Sequence, residues 1–459
     1  MDAENRPVRV YRTELILPTY PLGPPDPNPP FPDGRRVDIY PYPMLDDLGE
    51  ARAEQAYLAV VLENEYLRLT VLPQLGGHLY SAFDKSAGRE IFYRNNVVKP
   101  GLVALRGAWI SGGVEFNFPI GHSVTTVSPV DWHVVEGEDA ATIWIGDLER
   151  VSRMHWWVGI TLRAGIAAIE TEIVLYNRTP LRRRYYFWSN AAVRATPGLQ
   201  FICPMDYRKV GSHIGPYPVE DGKDLSWYRN HDHAVDVFAH QVREDWFGCY
   251  HHDEDAGVVH VANAPECLGK KLFTWGTADA GLIWAHILSD GDGPYCEIQA
   301  GRFEDQSTWR FIQPHSVERW REWWYPVGGA GPFVKANRYA ALALRRKDDA
   351  LQLGVYATRI LDGLTLEARV DGGAPQRWRV SAAPGSPFVA GMPAPPGAEG
   401  TVRLTLRDPA GKVWLEYQPR PTPPPPPPTP PPPDTAETRW LSGIAAEQAY
   451  RMEEAEAHY

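Results

Sequence analysis

Between Tyr57 and Ala343 the chain carries one short apolar run after another, each closed by a turn signal, with no long amphipathic helix between them. Parallel strands need long crossover connections, usually helical, so strands joined by short turns must pair antiparallel. Tyr57–Leu72 reads as a hairpin turning at Glu63-Asn64-Glu65. Further strands are predicted at 78–83, 132–135, 141–145, 156–162, 168–176, 183–191, 257–262, 282–286, 294–299 and 307–312. Polar turn segments such as Asp84–Gly88 and Asn177–Pro180 separate them. The stretch is far longer than an immunoglobulin-sized sandwich of about 100 residues. The expected fold is all-β, a large antiparallel β-supersandwich.

The flanks differ in kind. Residues 1–50 hold one strand-like run, Val8–Leu17, and then a proline-rich arm from Pro18 to Pro43. Proline at that density forbids helix and central strand, so the arm should lie extended over the main domain, residues 51–345. Residues 346–418 show a second, smaller strand pattern, the size of a small C-terminal β-sandwich, with a supporting or docking role. Residues 419–433 form a polyproline linker, a stiff spacer of about 3.1 Å per residue. Residues 434–459 read as a terminal helix with Asp434 at its N-cap. One helix buries nothing alone. It is expected to begin a tetratricopeptide-type array or to dock on a protein partner.

The formal net charge is -11, which argues against nucleic acid and anionic membrane as partners. No apolar run reaches the roughly eighteen residues of a membrane-spanning helix. The charged start carries no signal peptide, and Cys203, Cys249, Cys267 and Cys296 are scattered, so free thiols and a cytoplasmic location are expected. The 17 Trp and 22 Tyr are the unusual part, because such rings, when exposed, take flat ligands.

Tyr295, Glu297 and Gln299 alternate and so share one face of a strand. Trp309, Trp320, Trp323 and Trp324 follow. A carboxylate and an amide beside aromatic rings is the chemistry of a sugar pocket: rings cover the apolar faces of a pyranose, and polar groups bind its hydroxyls. His78 follows Gly76-Gly77 at a tight strand entry, and Trp109, Glu115, Asn117 and His122 share a glycine-bearing stretch that reads as a long loop. The plain alternatives are a core strand, a bulged edge strand and an ordinary connection. His231/His233 and His251/His252 invite a metal reading, but adjacent residues on a strand point apart, and neither a metal nor a cofactor is expected. There is no Gly-x-Ser-x-Gly elbow and no Walker phosphate loop.

Pro73-Gln-Leu-Gly-Gly-His-Leu79, followed by Asp84-Lys-x-x-Gly-Arg-Glu90, resembles the opening of the galactose mutarotase (aldose 1-epimerase) superfamily. Cys296-Glu-Ile-Gln299 and Phe303-Glu-Asp-Gln306, with Pro314 beyond, resemble its late segment, whose glutamate is the catalytic base; the match falls on Glu297. The resemblance spans about residues 57–330 and implies the supersandwich. It also implies a gap. Where that superfamily carries its catalytic histidine, this chain reads Phe187-Trp188-Ser189-Asn190. Gly112–Pro119, Trp320–Val327 and the C-terminal helix resemble a bacterial family in which such a domain precedes tetratricopeptide repeats.

The expected function is a carbohydrate-active enzyme, foremost a glycoside hydrolase, with a saccharide as substrate. Glycosidic cleavage needs two carboxyl groups flanking the bond, and the candidates are Glu297, Glu115 and Glu322. Glu322, among tryptophans, suits acid duty through desolvation. Trp109, Trp323 and Trp324 would stack on the sugar, and His78, His122, Asn117 and Gln299 would bind its hydroxyls. The alternatives are an epimerase with His78 or His231 as replacement acid, and a non-catalytic carbohydrate-binding module tethered to a protein-interaction repeat.

Overall fold

The computed structural model describes residues 6–26, 39–308, 310–371, 373–394, 396–419, 433–448 and 450–459. Trp309 and nearly all of the polyproline linker lie outside the described residues. Two large antiparallel sheets, of twelve and eight strands, face each other across one core. The middle of the larger sheet runs in the order His78–Asp84, Val114–Asn117, Trp188–Arg194, Tyr295–Gly301, Gly269–Thr274, Val235–His240. In the smaller sheet, Ser316–Gly328 lies between Ala256–Ala262 and Ile169–Asn177. The predicted hairpin forms from Ala53–Glu63 and Leu67–Leu72, and Arg9–Thr19 pairs with the first of these along its whole length, so the N-terminal run is an edge strand of the large sheet.

Period-two alternation decides what enters the core. Along Tyr295–Gly301 all seven residues are buried, but for two reasons. Cys296, Ile298 and Ala300 point between the sheets, where they meet residues such as Trp320, Trp324 and Val258. Tyr295 points the other way, under a roof of Tyr93, Ala104, Trp109 and Leu288. This second layer turns the outer face of the sheet into an enclosed site.

Three expectations within the large domain need correction. Leu282–His286 belongs to a helix, Asp279–Leu288, whose Trp284 stacks on Trp275 with ring centroids 4.0 Å apart; an apolar run that short fits either period. The predicted strand 183–191 is two: Arg183–Tyr185 pairs with Arg310–Ile312 in a separate ribbon, and Trp188–Arg194 enters the large sheet. Val114–Asn117, expected in a loop, is a fully buried strand beside it.

The small sandwich begins at Phe333, earlier than the expected 345/346 boundary. Its two four-stranded sheets enclose Leu342, Leu353, Val355, Leu366, Leu404 and Leu406. Tyr325, Val327, Phe333 and Tyr356 fasten it to the large domain. The tail is two helices, Ala436–Gln448 and Met452–His458, rather than one. Ala446 and Ala455 are buried, and a Cβ on Gly443 would lie 2.5 Å from the Tyr459 ring, so small residues let the pair close. Trp440 rests against Phe311 at 6.0 Å and beneath Arg184. No helix among the described residues is long and apolar enough to cross a membrane.

Candidate functional site

Register places four polar side chains in one row across the large sheet. Asn190 lies opposite Glu115 on one side and Gln299 on the other, and Gln299 lies opposite Lys271. Partners directly across a sheet share a face, so the row points away from the core, as do Glu297 two residues along and Trp188, opposite Gly301. Above them is a cavity of about 390 Å³ with aromatic walls, Trp109, Trp188, Trp275 and Phe273, and four ionisable groups, His122, Asp236, Lys271 and Glu297.

Glu297 is 4% exposed and accepts a 2.6 Å hydrogen bond from Gln299 Nε2. Burial pushes its carboxyl above the usual range, and the nearby His122 and Lys271 charges and the Asn190 and Gln299 amides offset this only in part. Glu115 is as buried but opposite in character. Its Oε2 accepts hydrogen bonds from Trp109 Nε1 (3.1 Å) and His122 Nδ1 (2.9 Å). Burial works against its charge, yet the His122 charge and these donors bring its pKa down to about 2. Burial likewise disfavours the His122 cation, and Glu115 outweighs it, so the imidazole is raised above its ordinary value. The His122 ring sits between Trp109 and Trp188, at 5.0 and 4.9 Å. With Nδ1 committed to Glu115, Nε2 is the nitrogen left for the cavity.

Of the residues expected from sequence, Glu297, Gln299, Trp109 and His122 line the cavity. Glu115 stands behind His122 as its partner. Asn117 Oδ1 accepts from the Ser123 backbone N–H at 2.7 Å and so anchors the turn that carries His122. His78 is buried, kept neutral by desolvation, with Nε2 on the Gly112 carbonyl; it braces this strand without lining the cavity.

Glu322, Trp323 and Trp324 are not at this site. Alternation along Ser316–Gly328 turns Trp320, Glu322 and Trp324 into the core between the sheets. There Glu322 accepts from Trp320 Nε1 (2.9 Å), Ser189 Oγ (3.1 Å) and His260 Nε2 (3.2 Å). Trp324 packs on His260 at 4.4 Å, and Trp323 faces outward beneath Arg338. His231, offered as a replacement acid, bonds the Leu225 carbonyl at 2.8 Å. His233 is exposed, and His251 and His252 bond Arg194 O and Gln200 Oε1 separately. Among the described residues, His260, Cys267 and Glu322 are the three metal-ligand types that come together, in the core. The His260 Nδ1 there has no acceptor to orient it, the reverse of the usual second shell of a metal-bound histidine.

Sequence reasoning missed Trp188, Lys271, Asp236 and Trp275 as pocket residues. Trp188 was visible as the residue filling the mutarotase histidine segment; Lys271, Phe273 and Trp275 alternate along a segment that had no predicted strand. Four buried polar atoms, Glu115 Oε1, Asn117 Nδ2, Trp188 Nε1 and Asn190 Oδ1, have no hydrogen-bond partner. Their residues all belong to this outer face; such atoms also occur in the core, at His260 Nδ1 and Trp324 Nε1, so they call for a partner but do not by themselves mark a ligand site.

The DUF5107 domain, a domain of unknown function, matches residues 35–327, and the second domain of YphG-like protein matches residues 335–417. The crystal structure of a TPR-domain containing protein from Parabacteroides distasonis is similar over 70% of this chain, with 26% identity and a TM-score of 0.64. This chain spans 55% of that protein's length. The Slr1438 protein from Synechocystis aligns over 60% of this chain and 96% of its own, at 13% identity and a TM-score of 0.45. A galactose mutarotase-like protein from Clostridium acetobutylicum covers the same shares at 10% identity and a TM-score of 0.44.

Proposed function

Since the chain belongs to the DUF5107 family, whose description assigns no activity, we propose from its site that it is a carbohydrate-active enzyme of the aldose 1-epimerase type. The observation that carries this reading is that Glu297 and His122 line one aromatic-walled cavity, the first raised by burial and the second raised by the adjacent Glu115. In ring opening of a free aldose, the Glu297 carboxylate takes the proton from the anomeric hydroxyl as His122 Nε2–H protonates the ring oxygen. The C1–ring-oxygen bond breaks, leaving an aldehyde. Rotation about C1–C2 and reclosure return both protons and give the other anomer. A base with a raised pKa is the stronger proton acceptor, and His122 supplies the acid that Trp188-Ser189-Asn190 lacks.

Glycoside hydrolysis is the second reading. Glu115 is bound to His122 and Trp109 and sits behind them, so the second carboxyl on the cavity is Asp236, which is half exposed there and ion-paired to Lys271. Anomer exchange of glucose, galactose and mannose, followed by polarimetry, separates the readings from aryl-glycoside cleavage. The expected result is exchange above the spontaneous rate, reduced on the order of 10²-fold or more by Glu297→Gln or His122→Gln. Aryl-glycoside release without anomer exchange would overturn the epimerase reading in favour of hydrolysis; sugar binding without either would favour the module.

The tail is read as the opening of a tetratricopeptide array. Ala455-x-x-x-Tyr459 follows the A-x-x-x-F spacing of that repeat with Tyr for Phe, and Gly443 packs against the Tyr459 ring, although Gly443 lies three residues after Trp440 where the repeat has four. The partner is then another helical repeat. Two consensus repeats fused after Tyr459 should raise the melting temperature of the tail; no change would remove this assignment. A reducing, cytoplasmic setting accords with four free cysteines.

A further inference from the structure

Lys271 is the least expected member of the site. Its side chain is 6% exposed, enclosed by the rings of Phe238, Trp188 and Phe273 at 5.1, 5.6 and 5.7 Å. Its ammonium reaches Asp236 Oδ1 at 2.5 Å and Gln306 Oε1 at 3.4 Å. A buried ammonium needs an anion, and here the chain supplies its own. Asp236 stands on the neighbouring strand, diagonal to Lys271, on the same face of the sheet. It is half exposed, and Lys271 is the cation it pairs with.

The charges that line the cavity therefore cancel by pairs. His122 is matched by Glu115, and Lys271 by Asp236. Glu297, the remaining acid, is buried against an amide. An incoming anion would have to displace Asp236 from Lys271 or lie beside it, and like charges so placed are strongly disfavoured. An uncharged diol meets no such barrier. The ammonium offers donors, and the Asp236 carboxylate and the Gln306 carbonyl offer acceptors, side by side, which suits adjacent hydroxyls that each give and take one hydrogen bond.

We propose that the Lys271–Asp236 pair makes this a site for uncharged aldoses, and that Asp236 is the residue that rejects sugars carrying a carboxylate or phosphate. The inference rests on the reading of the cavity as a sugar pocket and names the class of sugar it takes. The predicted consequence is a switch: with Asp236 neutralised, Lys271 loses the carboxylate it is ion-paired to, Glu297 is the acid left near it, and the ammonium becomes more open to an incoming anion.

The test is a binding titration on the full chain. Quenching of tryptophan fluorescence is a direct readout, because Trp109, Trp188 and Trp275 line the cavity. The probes are glucose, galactose and mannose against glucuronate, galacturonate and mannose 6-phosphate, at low ionic strength. For the wild type, at least one neutral aldose should bind at least tenfold more tightly than its anionic counterpart. Asp236→Asn should shift that ratio at least tenfold toward the anion, and Asp236→Asn/Lys271→Met should lose the gain. If the wild type binds the anionic sugar as well as the neutral one, or if Asp236→Asn leaves the ratio unchanged, the charge filter is wrong and the sugar pocket stands. If no sugar in either set binds the wild type or the variant, the sugar reading falls and the filter with it.

Discussion

Glu115→Gln tests whether Glu115 is what makes His122 an acid. The substitution keeps the shape of a side chain that is 4% exposed and removes its charge. The His122 Nδ1 to Glu115 Oε2 distance is 2.9 Å. Charge centres about 4 Å apart at an effective dielectric near 20 attract by about 4 kcal/mol. At about 1.4 kcal/mol per pKa unit, that is an upper bound of about three units. Measured shifts beside one opposite charge are about one to three. Burial is the opposing influence on His122, so in Glu115→Gln it prevails and the imidazole falls below its ordinary value of about 6.5.

The assay is a ¹⁵N-histidine titration by NMR, paired with the pH profile of anomer exchange. The alkaline limb set by loss of the His122 proton should move down by about one to three pH units, and Glu115→Asp should restore much of it. The stability profile carries the same signature with definite signs. Glu115, depressed to about 2, adds stability above its unfolded pKa of about 4.3 that fades as pH falls toward 2. His122, raised, adds stability that is complete below about pH 6.5 and is lost as pH climbs through its folded value. Glu115→Gln should flatten both limbs. An unchanged His122 titration in Glu115→Gln would refute the reasoning, because a merely structural carboxylate could be replaced without moving it.

Glu322→Gln should lower stability by about 1–3 kcal/mol, by urea melts, while leaving sugar quenching intact, since Glu322 serves a core network with Trp320, Ser189 and His260. Leu353→Ala, in the centre of the small sandwich, should cost about 2–5 kcal/mol; unchanged melting would mean that this core closes around the gap. Gly443→Val should open the tail hairpin by driving a side chain into the Tyr459 ring, seen as lost helical circular dichroism with native near-ultraviolet signal from the sandwich.

The fold was legible where periodicity was unbroken: the 57–72 hairpin and five strands of the smaller sheet read directly from alternation, while Leu199–Ile202, Trp246–His251 and Ser316–Gly328 in the same sheet went unpredicted. It failed where buried polar residues disturb the pattern. Val114–Asn117 carries a glutamate and an asparagine in a doubly buried strand, so its polarity imitates a loop, as expected of a site that breaks local rules. Glu297 was reachable because alternation and resemblance converged on it. The alternation of Trp320, Glu322 and Trp324 was equally plain, but which face meets the core is set by a sheet far away in sequence, so Glu322 went to the wrong side. Lys271 and Asp236 meet only through strand pairing, and no local signal announces that.

Tyr295–Gly301 is a central strand buried on both faces, hydrogen-bonded to neighbours on each side. Its amides have no route to solvent short of dismantling the sheet, so they should exchange with deuterium only on global unfolding. Glu297 therefore sits in the last part of the molecule to open. Glu297 has no loosened intermediate state of its own, and on heating, sugar quenching and the folded sandwich should disappear together.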